Sequence, residues 1–188
     1  METKIRCAWC EKDDLYRDYH DNEWGNPVYD DETLFEFLLL ETFQAGLSWY
    51  TILSKRQNFQ KAFDNYNYKK IAKYDQTKID SLMQDAGIIR NGLKIKATIS
   101  NAVAFMKVQD EFGSFSKYIW GFTGGKPIVI EHRTMKDVQS TTPLSDEISK
   151  DLKNRGFKFV GSTVIYAHMQ ATGMVDDHMV DCWKRTGK

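Results

Sequence analysis

The chain of 188 residues contains little cysteine, little proline and no long apolar run. An odd number of cysteines, three, favours free thiols or metal ligands over a framework of disulfides. Only Pro27, Pro127 and Pro143 interrupt segments that could form helices. No segment approaches the roughly 18 apolar residues of a membrane-spanning helix, and the start of the chain lacks the apolar core of a signal peptide. We therefore expect a cytosolic protein without a membrane partner.

The chain also lacks a net charge, because 26 Lys and Arg residues balance 26 Asp and Glu residues. Overall charge therefore gives no support to a nucleic-acid or membrane partner, and any binding face must come from local clusters. A length of 188 residues suits one domain with a buried core. A small, neutral chain of this kind is expected to be a monomer.

Apolar residues recur at intervals of three and four along most of the chain, which predicts helices. Three acidic residues, 30–32, precede one such pattern and predict an acid-capped helix that ends near Gly46. A second helix is predicted from Leu47 to about Phe63. Further helical segments are predicted at residues 67–73, 77–85, 93–108, 115–120, 145–154 and 160–172. Only residues 128–130 have the composition of a strand, and that run is too short to found a sheet. The sequence therefore predicts an all-α domain.

Two cysteines and two histidines lie near the two ends of the chain, and together they could close a tetrahedral zinc site. His178 and Cys182 are four residues apart, which on a helix places them on one face, whereas the gap from Cys7 to His20 imposes no geometry. Cys10 is a rival ligand. The alternative is that these residues lie near the termini by chance. If four protein ligands bind zinc, the metal is structural, because no position remains open for water.

Residues 82–96 predict a helix, a short turn that starts at Gly87, and a second helix with Lys94 near its beginning. Such a turn can direct backbone N–H groups and a helix amino terminus at a phosphate, while Arg90 and Lys94 supply positive charge. The alternative is an ordinary connection between helices, in which the glycine only ends the first one.

Glu41 follows three leucines and precedes Phe43, so its carboxyl lies on or beside an apolar face. Burial there raises the pKa of a carboxyl unless a partner or a ligand offsets the cost. A carboxylate in such a place is a candidate functional group. The alternative is a glutamate at a helix end that caps the helix or forms a salt bridge.

Four runs of sequence, in this order, resemble the DNA-3-methyladenine glycosylase I family. The resemblance covers nearly the whole chain. The runs are Tyr-His-Asp-Asn-Glu-Trp-Gly at 19–25, Gln-Ala-Gly-Leu-Ser-Trp at 44–49, Gln-Asp-Ala-Gly-Ile-Ile-Arg at 84–90 and Arg-Gly-Phe-Lys-Phe-Val-Gly-Ser at 155–162.

The resemblance implies a helix-hairpin-helix glycosylase fold in which residues 1–188 form a single catalytic unit. The helical core is expected at about 30–172, and the terminal segments, about 1–29 and 173–188, are expected to be joined by zinc. One structural zinc ion per chain would be held by Cys7, His20, His178 and Cys182. Cys10 does not match a ligand of the family.

The resemblance also implies base-excision repair of alkylated double-stranded DNA. Such an enzyme flips 3-methyladenine out of the duplex, hydrolyses its N-glycosidic bond, and leaves an abasic site and the free base. Glu41 matches the pocket carboxylate and Trp49 the stacking residue, whose ring suits a cationic base. The remaining pocket aromatics would be Trp9, Tyr16 and Tyr19. The absence of a lysine from the matched pocket residues implies a monofunctional enzyme.

The expected DNA contacts are Gly87, Arg90 and Lys94 at phosphates, with Leu47 filling the gap that the extruded nucleotide leaves. Asp110, about twenty residues beyond the hairpin, is interpreted as a helix-cap or surface acid. A competing function is a zinc-stapled helical module that binds modified bases in DNA without cleaving them, in which case Glu41 would be dispensable. A metal-dependent hydrolase is a third interpretation, which a zinc ion with four protein ligands would exclude.

Overall fold

The computed structural model describes residues 4–186, so the first three and last two residues of the predicted unit 1–188 lie outside it. Within this range, no helix is long and apolar enough to cross a membrane. The described chain forms ten α-helices and two short strands: α1 (Asp14–Asn22), α2 (Asp31–Gln44), α3 (Trp49–Leu53), α4 (Arg56–Ala62), α5 (Tyr68–Ile71), α6 (Gln76–Gln84), α7 (Gly92–Phe112), α8 (Phe115–Gly121), β1 (Ile128–Val129), α9 (Pro143–Asn154), α10 (Ser162–Ala171) and β2 (Val175–Asp176). Two short 3-10 helices, Ala8–Lys12 and Asp64–Tyr66, accompany them.

Helix α2 lies at the centre of the fold, and its residues 34, 35 and 37–43 are all buried. Its start follows from the acidic residues predicted to cap it. The Asp30 side chain accepts a hydrogen bond from the backbone N–H of Thr33, and Asp31 and Glu32 occupy the first turn, where the helix dipole favours negative charge. Helices α7, α8 and α10 pack against α2, and α9 packs against α10. A helix surrounded in this way can hold a side chain rigidly, and Glu41 lies on it.

Helices α6 and α7 are joined by residues 85–91, close to the bounds that the sequence predicts. The Asn91 side chain caps α7 by accepting hydrogen bonds from the backbone N–H groups of Leu93 and Lys94. At its far end α7 stops at Gly113, whose φ of 84° is the left-handed conformation that glycine adopts readily. The second predicted helix, from residue 47 to 63, forms instead as the two shorter helices α3 and α4.

The all-α prediction needs one correction, because a two-stranded parallel sheet forms. Ile128 pairs with Val175 and Val129 with Asp176. Sequence inspection missed the sheet because β2 lies some 45 residues beyond β1, so neither strand identifies its partner locally. The pairing fixes the segment that leads into His178, which connects the helical core to the carboxyl terminus.

The two ends of the described chain lie side by side. The backbone N–H of Trp183 donates to the carbonyl of Ile5 at 2.9 Å, and the Lys184 ammonium donates to the carbonyl of Trp24 at 2.9 Å. Beside them, a second apolar cluster is separate from the main core and includes Tyr19 and Phe37, with Trp9, Tyr16, Trp24 and Trp49 packed against it. The terminal segments therefore bring aromatic rings to one side of α2.

Candidate active site and metal centre

A cavity of about 270 Å³ opens beside α2, and we call it the aromatic cavity. Aromatic, acidic and amide side chains share its wall. Its lining residues are Trp9, Tyr16, Tyr19, Trp24, Glu41, Gln44, Trp49, Met135, Val138, Ala167, Gln170, Asp177 and Met179.

The structure brings together the four aromatic residues that the sequence predicts for the pocket. The ring of Trp9 meets the edge of Tyr16 at a centroid distance of 5.4 Å, and Tyr19 lies 5.4 Å from Trp49. Trp24, which sequence reasoning did not assign to the pocket, packs against Trp9 at 5.1 Å. Rings that support one another in this way give a preformed slot for a flat, electron-poor ligand.

Glu41 lines the aromatic cavity while remaining 3% exposed. Its Oε2 atom is buried without a hydrogen-bond partner among the described residues, and so is Nε1 of Trp49. Desolvation alone raises the pKa of the Glu41 carboxyl to about 8. Burial and the neighbouring Glu41 also raise the pKa of Tyr19, so its hydroxyl stays protonated. A buried, unpaired carboxyl favours a ligand that brings positive charge or hydrogen-bond donors.

Replacing Glu41 with glutamine is expected to stabilise the protein relative to wild type, and increasingly so as the pH rises. In the unfolded chain a glutamate ionises near pH ~4.3, whereas the folded carboxyl has a pKa of about 8. Between these values unfolding releases a proton, so the wild type loses stability with rising pH while glutamine does not titrate. The free energy of unfolding of the variant should exceed that of wild type by roughly a few kcal/mol, and this difference should level off above pH ~8.

Melting temperatures of both proteins at pH 5, 7 and 9 measure this difference. Asp110→Asn, which neutralises an exposed acid on α7 outside the cavity, is the matched control. A difference in melting temperature between Glu41→Gln and wild type that is the same at all three pH values would contradict the assignment of Glu41 as a buried, desolvated acid.

Cys7, His20 and Cys182 form a compact group that can hold a metal ion. Their ligand atoms lie within 4.8 Å of one another, and all three side chains are buried. Sγ of Cys182 lies 3.4 Å from Nε2 of His20. Zinc bonds of about 2.0–2.3 Å in a tetrahedron place ligand atoms roughly 3.3–3.8 Å apart, so this group is compatible with zinc.

The fourth predicted ligand, His178, lies beside this group, with its ring centroid 5.3 Å from that of His20, but it is not among the three residues whose ligand atoms lie within 4.8 Å of one another. Its Nδ1 lies 2.7 Å from Oδ1 of Asp176, while its buried Nε2 has no partner among the described residues. His20 has the same arrangement, with Nδ1 2.8 Å from Oδ1 of Asp21. A carboxylate on Nδ1 fixes the tautomer that leaves Nε2 free to bind a metal. These donors are therefore compatible with zinc, and Asp176 supports the imidazole of His178.

Two expectations about these ligands need correction. Residues 178–182 do not form a helix but lie in a bridge and turns. The relative position of His178 and Cys182 is therefore set by a loop and not by one face of a helix. Cys10 is buried next to the group, yet its thiol donates to the carbonyl oxygen of Cys7 at 3.1 Å and does not join the cluster. Cys10 is therefore not a rival ligand in this arrangement.

The thiols of Cys7 and Cys182 interact as a pair. The hydrogen bond from Cys7 lowers the pKa of Cys182 to about 4, whereas the pKa of Cys7 is raised by the same contact and by burial. Binding of a metal ion to this pair would displace the protons that the thiols hold.

The connection between α6 and α7 differs from prediction at Lys94. This residue is 5% exposed, and its ammonium donates to the carbonyls of Phe43 at 2.8 Å and Ala45 at 2.5 Å. It thereby caps the carboxyl terminus of α2, where the helix dipole favours a cation. The prediction that Lys94 contacts a DNA phosphate is therefore wrong for this structure, since its charge is buried and already paired.

Gly87 and Arg90 lie in the connection between α6 and α7. The N–H of Gly87 donates to Oδ1 of Asp85 at 2.7 Å, so it is not a free donor for phosphate. A Cβ at this position would lie 2.9 Å from that oxygen and 3.2 Å from Cβ of Asn58, so close packing explains the glycine. Arg90 is exposed, and its role as a phosphate contact remains a prediction.

Leu47 is 41% exposed in the loop between α2 and α3, whose flanking residues Gln44 and Trp49 line the aromatic cavity. Its exposed position between two residues that line the cavity is compatible with the predicted wedge, which no contact in the structure tests. Asp110 is exposed on α7 and does not line the cavity, which agrees with its interpretation as a surface acid.

Similarity to known proteins agrees with this geometry. A family model described as methyladenine glycosylase matches residues 9–185. The chain belongs to the methyladenine glycosylase family. Every residue that lines the aromatic cavity falls within the matched range, whereas the candidate ligand Cys7 lies just before it.

Relatives within the methyladenine glycosylase family are similar over almost their whole length. The chain is 45% identical to DNA-3-methyladenine glycosylase 1 of Escherichia coli (strain K12), over 94% of this chain and 95% of the relative. It is also 45% identical to DNA-3-methyladenine glycosylase of Haemophilus influenzae, over 94% and 96%. A solved complex of a Tyr-to-Phe variant of 3-methyladenine DNA glycosylase I with 3-methyladenine is 36% identical, covers 97% of this chain and 98% of its own, and superimposes with a TM-score of 0.93.

Sequence reasoning missed several residues of the cavity. Trp24 and Gln44 lie within the runs that carry the family resemblance, so the runs themselves contained a signal. Gln170 and Met135 come from distant segments without a motif. Asp177, the residue before His178, also lines the cavity.

Proposed function

We propose that this protein is a DNA-3-methyladenine glycosylase that hydrolyses the N-glycosidic bond of 3-methyladenine in alkylated DNA. The observation that carries the proposal is an aromatic cavity containing a buried, unpaired Glu41, in a chain 45% identical to named DNA-3-methyladenine glycosylases. A structural neighbour binds 3-methyladenine itself. The protein would act in the cytosol on chromosomal DNA, as a monomer.

The chemistry requires little acid catalysis. Methylation at N3 makes the adenine cationic, so the glycosidic bond is already weakened and the base leaves readily. The protein must extrude the nucleotide, hold the base between aromatic faces and support the positive charge that develops on the sugar. Trp49 and Tyr19 line the cavity for stacking, and Glu41 offers a carboxyl that a cationic base would convert to carboxylate.

A monofunctional hydrolase follows from the composition of the cavity. A glycosylase that also cleaves the DNA strand needs an amine nucleophile for a Schiff base. Lysine is absent from the described residues that line the aromatic cavity. Water is therefore the expected nucleophile at C1′, and the product is an abasic site.

Base release from methylated duplex DNA tests the function. The purified protein should release 3-methyladenine, detected by chromatography, and leave strands that break only after alkali treatment of the abasic site. A folded protein that binds methylated DNA but releases no base would contradict the glycosylase and favour the non-cleaving binding module.

We also propose one structural zinc ion per chain, held by Cys7, His20, His178 and Cys182. The support is the compact group of three ligands together with the unpartnered, buried Nε2 of His178. When bound, zinc would supply no chemistry to the reaction, because four protein ligands would leave no position open for water. What these residues do is fix the cavity wall. Trp9 follows Cys7 by two positions, Tyr19 directly precedes His20, and Met179 directly follows His178.

The connection between α6 and α7 is proposed to act as a helix-hairpin-helix element on the DNA backbone, with Arg90 as its phosphate contact. Changing Arg90 to glutamine should weaken binding to undamaged duplex and reduce the slope of log K against log salt by about one. Changing Lys94 to methionine should instead leave that slope unchanged while lowering the melting temperature, because two helix-end carbonyls lose their buried partner.

The salt slopes are measured by fluorescence anisotropy of labelled duplex from about 50 to 200 mM salt. A slope that changes in the Lys94 variant and not in the Arg90 variant would contradict both assignments.

Leu47 is proposed to fill the gap in the base stack. Changing Leu47 to alanine should slow release from duplex several-fold and leave release from single-stranded DNA nearly unchanged, because only a duplex has a gap to fill. Single-turnover rates on the two substrates provide the comparison. Equal rates for variant and wild type on duplex would exclude Leu47 as the wedge.

A further inference from the structure

One buried carboxylate at the aromatic cavity has no part in the chemistry described above. The Asp177 side chain has no solvent-exposed surface, and three side chains converge on it. Its Oδ1 accepts a hydrogen bond from the Tyr166 hydroxyl at 3.1 Å and lies 2.6 Å from Nε2 of His132. Its Oδ2 accepts from Nε2 of Gln170 at 2.5 Å. Both oxygens of Asp177 are therefore engaged before any ligand arrives.

These contacts determine which way the Gln170 amide faces. Burial and the nearby Asp177 raise the pKa of Tyr166, so its hydroxyl remains protonated and acts as the donor. A carboxylate that receives donors can only accept, so Gln170 must turn its nitrogen towards Asp177. Its carbonyl oxygen, Oε1, then points away from Asp177 and makes no hydrogen bond with the described residues.

Gln170 lies at the end of α10, and it lines the aromatic cavity together with Glu41 and Trp49. Because Asp177 holds its amide nitrogen, Oε1 is an acceptor whose orientation is fixed in advance. A free glutamine would rotate its amide to suit either a donor or an acceptor on the ligand. A glutamine whose amide orientation is fixed discriminates between a donor and an acceptor on the ligand.

We propose that Gln170 is a specificity-determining residue that reads position 6 of the base in the aromatic cavity, and that Asp177 is its positioning residue. The inference rests on the proposed glycosylase function. Adenine carries an amino group at position 6, which donates a hydrogen bond, whereas guanine and hypoxanthine carry a carbonyl oxygen there. A fixed Oε1 pairs with the amino group and leaves two oxygens facing each other when a carbonyl occupies the same place.

The same carboxylate also connects the cavity to a loop. His132, its third partner, lies in the segment between β1 and α9 that contributes Met135 and Val138 to the cavity wall. The carbonyl of His132 accepts from the backbone N–H of Val180 at 2.9 Å. Asp177 thus fixes the amide on one side of the cavity and a loop on the other.

Two free bases that differ only at position 6 test the proposal: 3-methyladenine and 3-methylhypoxanthine. Their affinities are measured by quenching of tryptophan fluorescence, since Trp9, Trp24 and Trp49 line the cavity. Wild type should bind 3-methyladenine more tightly. In Gln170→Leu the ratio of the affinity for 3-methyladenine to the affinity for 3-methylhypoxanthine should fall by about tenfold, which is the effect of losing one hydrogen bond.

Asp177→Asn leaves Gln170 in place but offers it a donor as well as an acceptor, so the amide can rotate and the ratio should narrow in the same way. The double variant should narrow it no further than Gln170→Leu alone. Because each ratio compares two ligands on one sample, a partly unfolded variant does not change it. The zinc content and melting temperature of each variant show whether the nearby metal site is intact. Gln170→Asn is a second variant at position 170, in which the shorter side chain withdraws the amide from the cavity.

Base release from methylated DNA by the same proteins separates the possible failures. If wild type releases no 3-methyladenine, the glycosylase proposal fails. If wild type releases it, but the affinity ratio is unchanged in Gln170→Leu or Gln170→Asn, only the assignment of Gln170 is overturned. If both Gln170 variants narrow the ratio and Asp177→Asn does not, the positioning role of Asp177 is overturned.

Discussion

Changing Glu41 to glutamine should lower the rate of 3-methyladenine release from DNA by about 10²–10³-fold, the usual cost of losing a preorganised electrostatic group in an active site. Glutamine keeps the shape of the protonated side chain, which is the favoured form at neutral pH because burial raises the pKa of Glu41 to about 8. It cannot become a carboxylate when a cationic base enters or when charge develops on the sugar. The variant should therefore fold and bind DNA while losing turnover.

The pH dependence gives this prediction a second readout. If ionised Glu41 is needed, kcat/KM of the wild type should rise through a pKa of about 8, since kcat/KM reports the free enzyme. In Glu41→Gln that rise should disappear. Asp110→Asn is the matched control, because it neutralises an exposed acid outside the cavity and should leave the rate unchanged. Rates of base release within a few-fold of wild type in Glu41→Gln, or a loss in Asp110→Asn instead, would show that the wrong carboxylate has been assigned.

Local patterns in the sequence predicted much of the helical framework. The cap at Asp30 and the apolar spacing that follows it are properties of neighbouring residues, and α2 begins and ends within two residues of the predicted bounds. The aromatic residues of the cavity could not be predicted in this way. Singly, each of Trp9, Tyr16, Tyr19 and Trp49 suits core packing equally well, and it was the family resemblance that grouped them.

The predictions that did not match depend on contacts between distant segments. Lys94 has a position at the start of a helix that suits a phosphate contact, but the sequence does not reveal that this start lies against the end of α2. Strand β1 pairs with a segment beyond α10. Gln170 and Asp177 meet across the end of α10, and only the three-dimensional arrangement shows that one fixes the other.

Removing the proposed zinc should produce the largest effect on stability. Structural zinc contributes roughly 10 kcal/mol or more to the folding of small domains, and here it would join the two termini. Changing Cys7 to serine should therefore abolish stoichiometric zinc and lower the melting temperature by about 10 °C or more. Cys10→Ser is the matched control, because Cys10 is an equally buried cysteine three residues away that does not join the ligand group. It should keep one zinc per chain and lose at most a few degrees.

The zinc site should also affect the aromatic cavity, because Trp9, Tyr19 and Met179 lie within two residues of three of the four ligands and line its wall. Gly25 makes the packing here tight, since a Cβ at that position would lie 2.5 Å from Cε1 of His178. Loss of metal from Cys7→Ser, or from wild type treated with a chelator, should therefore weaken binding of free 3-methyladenine by at least tenfold, measured at a temperature where the helical core remains folded. Full affinity in a zinc-free protein would mean that the helices alone shape the cavity, and that the metal serves only to hold the termini.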